Sequence, residues 1–229
     1  MNLLGMFARR PEPGQTKTRL AKSIGNDSAA AVYAAFVEDL IRRCETLGKQ
    51  FVVAATPHDD LTATWFRSRV ADSTIVEFQP DGDLGQRVEC FFQRGFEKRF
   101  EKVVLIGSDS PDLPPAIINE AFRELDRFDV VLSPAADGGY VLIGLRSFSP
   151  GMFAHVNWSA ATTLLDTLQA AKEATLSVTL LPLWYDIDVI ENLGTLISLQ
   201  SQDGSEAADC PATMEAIQGR WSTIEAALK

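Results

Sequence analysis

A chain of 229 residues with 46% apolar and 23% charged side chains can bury one large core and has the make-up of an ordinary soluble globular protein. Its formal net charge of −10 disfavours nucleic acid and anionic membrane as partners. Cys44, Cys90 and Cys210 are widely spaced with no CxxC pair, which suits a reducing compartment and supplies neither a zinc site nor a disulfide framework.

The first element follows at once, because Leu3 to Ala8 (LLGMFA) reads as a short buried strand. That run is too short for a signal peptide, and no stretch approaches the roughly 18–20 apolar residues of a membrane span, so a cytoplasmic location is expected. RRPEPGQTKTRL breaks the strand into a loop that enters a helix. Asn26 or Asp27 can cap a helix running to about Leu47, with Val32, Phe36 and Leu40 on one face. FVVAA (51–55) is the next strand, and 61–71 a short helix containing Trp65. TIVEF (74–78) is a third strand, followed by a helix over 84–99 carrying Val88, Phe91, Phe92 and Phe96. VVLI (103–106) is a fourth, with a helix from about Pro115 to Arg127. This alternation implies parallel strands joined by right-handed crossovers, with helices on both faces.

FDVVLSP and YVLIGL then flank AADGG, an Asp-Gly turn that predicts a hairpin and makes the sheet mixed. A helix near 160–173, a strand near 176–181 and a helix near 190–200 follow. SQDGSEAADCP (201–211) reads as a surface loop, and 212–228 as a last helix, so the chain ends in a helical extension from about 201. The expected fold is a single α/β domain over 1–229, a three-layer α/β/α sandwich on a mostly parallel mixed sheet.

Ligands of open α/β sheets bind outside the carboxyl ends of the strands, and the unusual polar stretches fall at those ends. Arg9, Arg10, Lys17 and Arg19 place four cations in one loop of an acidic chain. With Gly14 they suit a phosphate-bearing ligand, although a Pro/Gly turn with solvated charges accounts for the same residues. The P-loop pattern fails, since Thr16 stands where Gly must precede Lys.

Asp109 in GSDSPDL ends a buried strand, where a carboxylate can hold Mg²⁺ (or Mn²⁺) or else brace the turn; Asp112 could assist. In YDIDV, Asp186 and Asp188 sit at i, i+2, so an extended segment points both to one face, where they could share a cation. Helix capping by Asp188 is the plainer alternative, and an aspartyl-nucleophile phosphatase reading fails on the Ile190 that follows and on the late position. Asp137 with Gly138 and Gly139 forms either the favoured turn or a backbone that a sugar can approach. Asp83 and Arg87 belong to a ligand loop or to a helix start. Trp158 packs over a ligand or in the core, and His58 and His155 carry no role.

Taken in order, FARRPEPGQTKTRLA, GDLGQR, LIGSDSPDLP, DVVLSPAADGGYVLIGL, WS at 158–159 and LPLWYDIDVIENL resemble the glycosyltransferase-A-like nucleotide-diphospho-sugar transferases. Within them the set is most similar to the bacterial arsenosugar-biosynthesis-type glycosyltransferases, and more distantly to guanylyltransferases of the phospholactate and molybdenum-cofactor pathways. The resemblance implies a Mg²⁺-dependent transferase that uses a nucleotide-sugar or a nucleoside triphosphate and a small-molecule acceptor. It implies Lys17 and Arg19 at the phosphates, beside Arg9 and Gly14, and Asp109 with Asp188, or else Asp186, at the metal. Asp137, Gly138 and Gly139 would face the sugar or acceptor, with Asp83 and Arg87 nearby. The string Asp109-Ser110-Pro111 departs from the Asp-x-Asp of metal-dependent glycosyltransferases and is closer to the nucleotidyltransferases. Glycosyl transfer, nucleotidyl transfer with release of pyrophosphate, and nucleotide binding without catalysis are therefore the three expectations carried forward.

Overall fold

The computed structural model describes residues 1–202 and 207–229. Among them the strands form one seven-stranded sheet in the order β3-β2-β1-β4-β6-β5-β7. β1 (Asn2–Arg9) lies at its centre, between β2 (Gln50–Thr56) and β4 (Lys102–Ile106), both parallel to it. β3 (Ile75–Phe78) extends this half in parallel. β6 (Tyr140–Leu145) runs against β4 and against β5 (Val130–Pro134), and β7 (Val178–Leu180) pairs with β5 in parallel. The expected α/β fold with a mostly parallel mixed sheet is therefore the one adopted.

Strand alternation makes two cores. Leu4, Met6 and Ala8 of β1, with Val104 and Ile106 of β4, face a layer built on α1 (Thr18–Ile24), α2 (Asn26–Glu45) and α5 (Pro115–Glu124). Leu3, Val103 and Leu105 face the other layer, where α4 (Leu84–Glu97) supplies Val88, Phe91 and Phe92 and α6 (Thr163–Glu173) supplies Ala171. Gly5 is required here, since a Cβ would enter the Phe91 ring.

The first layer is completed by α3 (Asp60–Arg67), α7 (Ile190–Gln200), α8 (Pro211–Gln218) and α9 (Trp221–Leu228). Buried Asp39 on α2 accepts the backbone N–H groups of Ala212 and Thr213 at 3.1 and 2.8 Å, which fastens the start of α8.

Two expectations are corrected. The helix expected over 212–228 is broken at Gly219 and Arg220 into α8 and α9. A separate helix, α1, precedes α2, because Gly25 at φ +83° interrupts what would otherwise be a continuous run. The loop expected over 201–211 falls partly on 203–206, outside the described residues. Among the described residues no helix is long and apolar enough to cross a membrane.

Because β6 runs against its neighbours, the β5–β6 turn lies at the same end of the sheet as the exits of β1 and β4. The polar stretches thus meet at one end.

Candidate functional site

The loop leaving β1 is closed by its own bonds: Thr16 Oγ1 donates to the Glu12 carbonyl at 3.0 Å and accepts the Glu12 N–H at 3.2 Å. It delivers Lys17 in the left-handed region, φ 46°, as the N-cap of α1. The Lys17 side chain, only 5% exposed, places Nζ 2.6 Å from Asp109 Oδ1 and 3.0 Å from Asp188 Oδ1. The rings of Tyr33 and Phe36 lie 5.9 Å from the same ammonium. Burial works against the charge, but Asp109 and Asp188 outweigh it and hold the amine above the ordinary lysine range. Arg19 is exposed, with NH1 3.7 Å from Asp188 Oδ2. Arg10 turns away, bonding Thr62 Oγ1 at 3.1 Å beside Glu12 and Asp59.

Tyr33 braces the floor. Its hydroxyl accepts the Arg9 N–H at 3.1 Å and shares a 2.7 Å bond with Ser108 Oγ. Burial, and then the charge of Asp109, pushes the phenol up to about 12. Arg9 Nε is buried with no hydrogen-bond partner among the described residues. Sequence reasoning missed Tyr33 because it falls in the apolar face of α2, where its only signal is a hydroxyl among core positions.

The acidic side comes from the β4 exit and the WYDIDV segment, joined where Ile187 N–H donates to the Asp109 carbonyl at 2.9 Å. Asp109 is half-exposed and faces Lys17. Asp112, three residues on, is fully buried and faces away, accepting Trp184 Nε1 at 3.2 Å and the Tyr185 hydroxyl. Burial raises its carboxyl despite those bonds. Asp112 therefore braces the loop from inside.

Asp186 accepts Ser110 Oγ at 2.7 Å, and burial with the charge of Asp109 pushes its carboxyl up to about 6. The segment is held in place but not in a strand: Asn192 Oδ1 accepts the N–H groups of Asp188 and Val189, both at 3.2 Å.

Three concavities surround this cluster. The largest, of about 360 Å³, is lined by Arg9, Lys17, Arg19, Tyr33, Asp109 and Asp188 among others. A second, of about 240 Å³, shares Asp109 and Ser108 with the first and adds Asp186, with mostly apolar walls. A third, of about 140 Å³, joins Arg19 and Asp137 to Asp186 and Asp188.

The other expected residues lie around the edge. Asp137 is exposed, and its Oδ1 accepts the Gly139 N–H at 2.9 Å. Gly138, at φ +91°, backs onto Ala161 so closely that no side chain fits, and its carbonyl accepts Leu164 N–H at 2.9 Å. Asp83 forms a capping box with Gln86 at the start of α4, and Arg87 Nε donates to the Gly82 carbonyl at 2.9 Å. Gly14 is an exposed turn residue at φ +75°. None of Gly14, Asp83, Arg87, Gly138 or Gly139 lines these three concavities.

Among the described residues no group of three or more His, Cys, Asp or Glu is arranged to hold a metal, so Asp109, Asp186 and Asp188 do not form a ready cluster. Asp109 and Asp188 do converge on one point, occupied by Lys17 Nζ. Two such carboxylates fit a hard divalent ion that fills the rest of its shell with water and substrate phosphate.

The sequence matches residues 40–160 to the profile of a family described as an uncharacterized protein conserved in bacteria, DUF2064. A protein of Desulfovibrio desulfuricans G20, provisionally named a nucleotide-diphospho-sugar transferase, is 31% identical, with 99% of this chain and 97% of that one covered and a TM-score of 0.90. A cytidylyltransferase of Leptospira borgpetersenii is 17% identical, with 97% and 96% covered and a TM-score of 0.52. A CMP:2-keto-3-deoxy-manno-octonic acid synthetase solved with CTP is 9% identical, with 88% and 99% covered and a TM-score of 0.55. These last two share the fold. No curated protein matches the chain.

Proposed function

The chain belongs to the DUF2064 family, and on that premise we propose that it is a divalent-metal-dependent transferase using a nucleotide-activated donor, with glycosyl transfer to a small acceptor as the first reading. The observation that carries the proposal is the Lys17 ammonium buried between Asp109 and Asp188 where β1 and β4 end. The name given to the 31% identical relative supports a nucleotide-sugar donor. The likeness of the ordered motifs to arsenosugar-biosynthesis-type glycosyltransferases supports the same donor.

In this reading the 360 Å³ chamber takes the nucleotide diphosphate. Arg9, whose Nε lacks a partner, and Arg19 offer donors to its phosphates, and Lys17 turns from the carboxylates toward them. Gly14 lets the β1 loop bend around the ligand. Asp109 and Asp188 hold Mg²⁺ (or Mn²⁺), with Asp186 behind them. Bound with the nucleotide, that ion supplies charge stabilisation for the departing phosphate. Asp137, Gly138 and Gly139 border the sugar or acceptor, and Asp83 and Arg87 fix the start of α4 beside it. The whole chain serves as one cytoplasmic domain.

Nucleotidyl transfer is the second reading, favoured by one observation. Ser110 turns inward to Asp186, so the β4 exit presents the single carboxylate of Asp109 instead of an Asp-x-Asp pair. Incubation with Mg²⁺, a panel of nucleotide-sugars and nucleoside triphosphates, and small alcohols and phosphate monoesters as acceptors separates the two. Metal-dependent release of nucleoside diphosphate supports glycosyl transfer, and release of pyrophosphate supports nucleotidyl transfer. Binding of nucleotide without either product refutes the enzyme.

A further inference from the structure

The nucleotide reading leaves the 240 Å³ chamber unassigned. It opens from the same floor, sharing Ser108 and Asp109 with the larger chamber, and its body is built differently. Val88, Leu105, Ile143, Tyr140 and Trp158 wall it, and the side-chain oxygens beyond the tyrosine come from Ser108, Asp109 and Asp186 at one end. The apolar wall is held from behind. Trp158 lies on Gly85, where a Cβ would enter the indole, and meets Tyr140 edge-on with ring centres 6.4 Å apart. Gly107 forms part of the lining, and a Cβ there would touch nothing within 4 Å.

A polyhydroxylated ligand would fit this wall poorly, because each hydroxyl turned toward Val88, Leu105 or Ile143 loses its water and gains no partner. An anionic head would meet the carboxylates of Asp109 and Asp186. A neutral hydroxyl finds acceptors there. The volume lies below the roughly 300–1,000 Å³ of drug-sized sites, which limits the body to about one ring or a short branched chain.

We propose that this second chamber binds the acceptor, and that the acceptor is a small alcohol with an apolar body whose hydroxyl sits beside Asp109 and Asp186. The assignment rests on the transferase reading for the word acceptor, while the chamber's ligand preference stands on its walls.

The test uses the full-length protein without nucleotide, with benzyl alcohol, glucose and benzoate as probes and the Gly107 amide followed by ¹H–¹⁵N NMR. Benzyl alcohol is expected to bind at least about tenfold more tightly than glucose or benzoate. Trp158→Gln should weaken it about tenfold, and Val88→Thr, which keeps the shape of the wall, about threefold. CTP binding, titrated separately, should change less than about twofold in either variant, since neither residue lines the first chamber. Equal or tighter binding of glucose or benzoate overturns the proposal, as does benzyl alcohol binding indifferent to both substitutions. Failure of wild type to bind any nucleotide would instead count against the transferase reading, and the probe preference would still be read.

Discussion

The loop after β4 and the turn between β5 and β6 leave the sheet at the same end, and each sets aspartate beside glycine or proline. In the turn, Asp137 accepts the Gly139 N–H two residues on, and Gly138 is pressed against Ala161, so the loop is closed on itself. In the β4 loop the two aspartates divide. Asp112 is buried under Trp184 and Tyr185, whereas Asp109 is half-exposed and pairs with the Lys17 ammonium. A carboxylate bound by backbone or aromatic donors shapes a loop; one balanced by a side-chain cation can exchange that cation for a ligand.

The largest effect should come from the committed side of this contrast. Asp112→Ala leaves the Trp184 and Tyr185 donors unpaired and should cost about 2–4 kcal/mol in denaturant unfolding. A loss under about 1 kcal/mol would mean that Asp112 does not anchor the loop. On the exchangeable side, Lys17→Met should leave the chain folded and weaken nucleotide binding about tenfold or more, because the phosphates lose the ammonium that turns toward them. Unchanged affinity by calorimetry would remove Lys17 from the site.

Asp137→Asn sharpens the comparison. Asparagine can also accept the Gly139 N–H, so the turn should persist and nucleotide affinity should stay within about twofold. A large loss would show the turn reaching the nucleotide.

The smallest effect lies away from the site. Asp129 is held below the usual carboxylate range by hydrogen bonds from Ser177, then by Arg146. A depressed folded value stabilises the protein above the ordinary carboxylate pKa and is lost as pH falls through the depressed one. Asp129→Asn should therefore lower urea stability by less than about 1 kcal/mol at pH 7, with the gap closing at acid pH. A gap that widens on acidification would contradict the sign.

Much of the architecture could be read from the chain because the strands are buried on both faces and so appear as short continuous apolar runs. FVVAA and VVLI lie within β2 and β4, and FDVVLSP and YVLIGL cover β5 and β6. Short-range signals failed where tertiary contacts decide. α1 has only Leu20, Ala21 and Ile24 to bury before Gly25, too little for a periodic pattern. The break between α8 and α9 carries one local mark, Gly219 at the C-cap of α8. In the site, local chemistry marked Lys17, Asp109 and Asp188 as unusual, and the fold brings them together. Nothing local separates Asp109 from Asp112, since their difference lies in Trp184 and Tyr185, more than seventy residues along the chain.

The most direct test of the account is a calorimetric titration of nucleoside triphosphates and nucleotide-sugars, with and without Mg²⁺, on wild type and Asp109→Asn. The account predicts metal-dependent binding of at least one nucleotide by wild type, and loss of that dependence in a variant that melts at nearly the same temperature. Metal-dependent binding that survives in Asp109→Asn would contradict it.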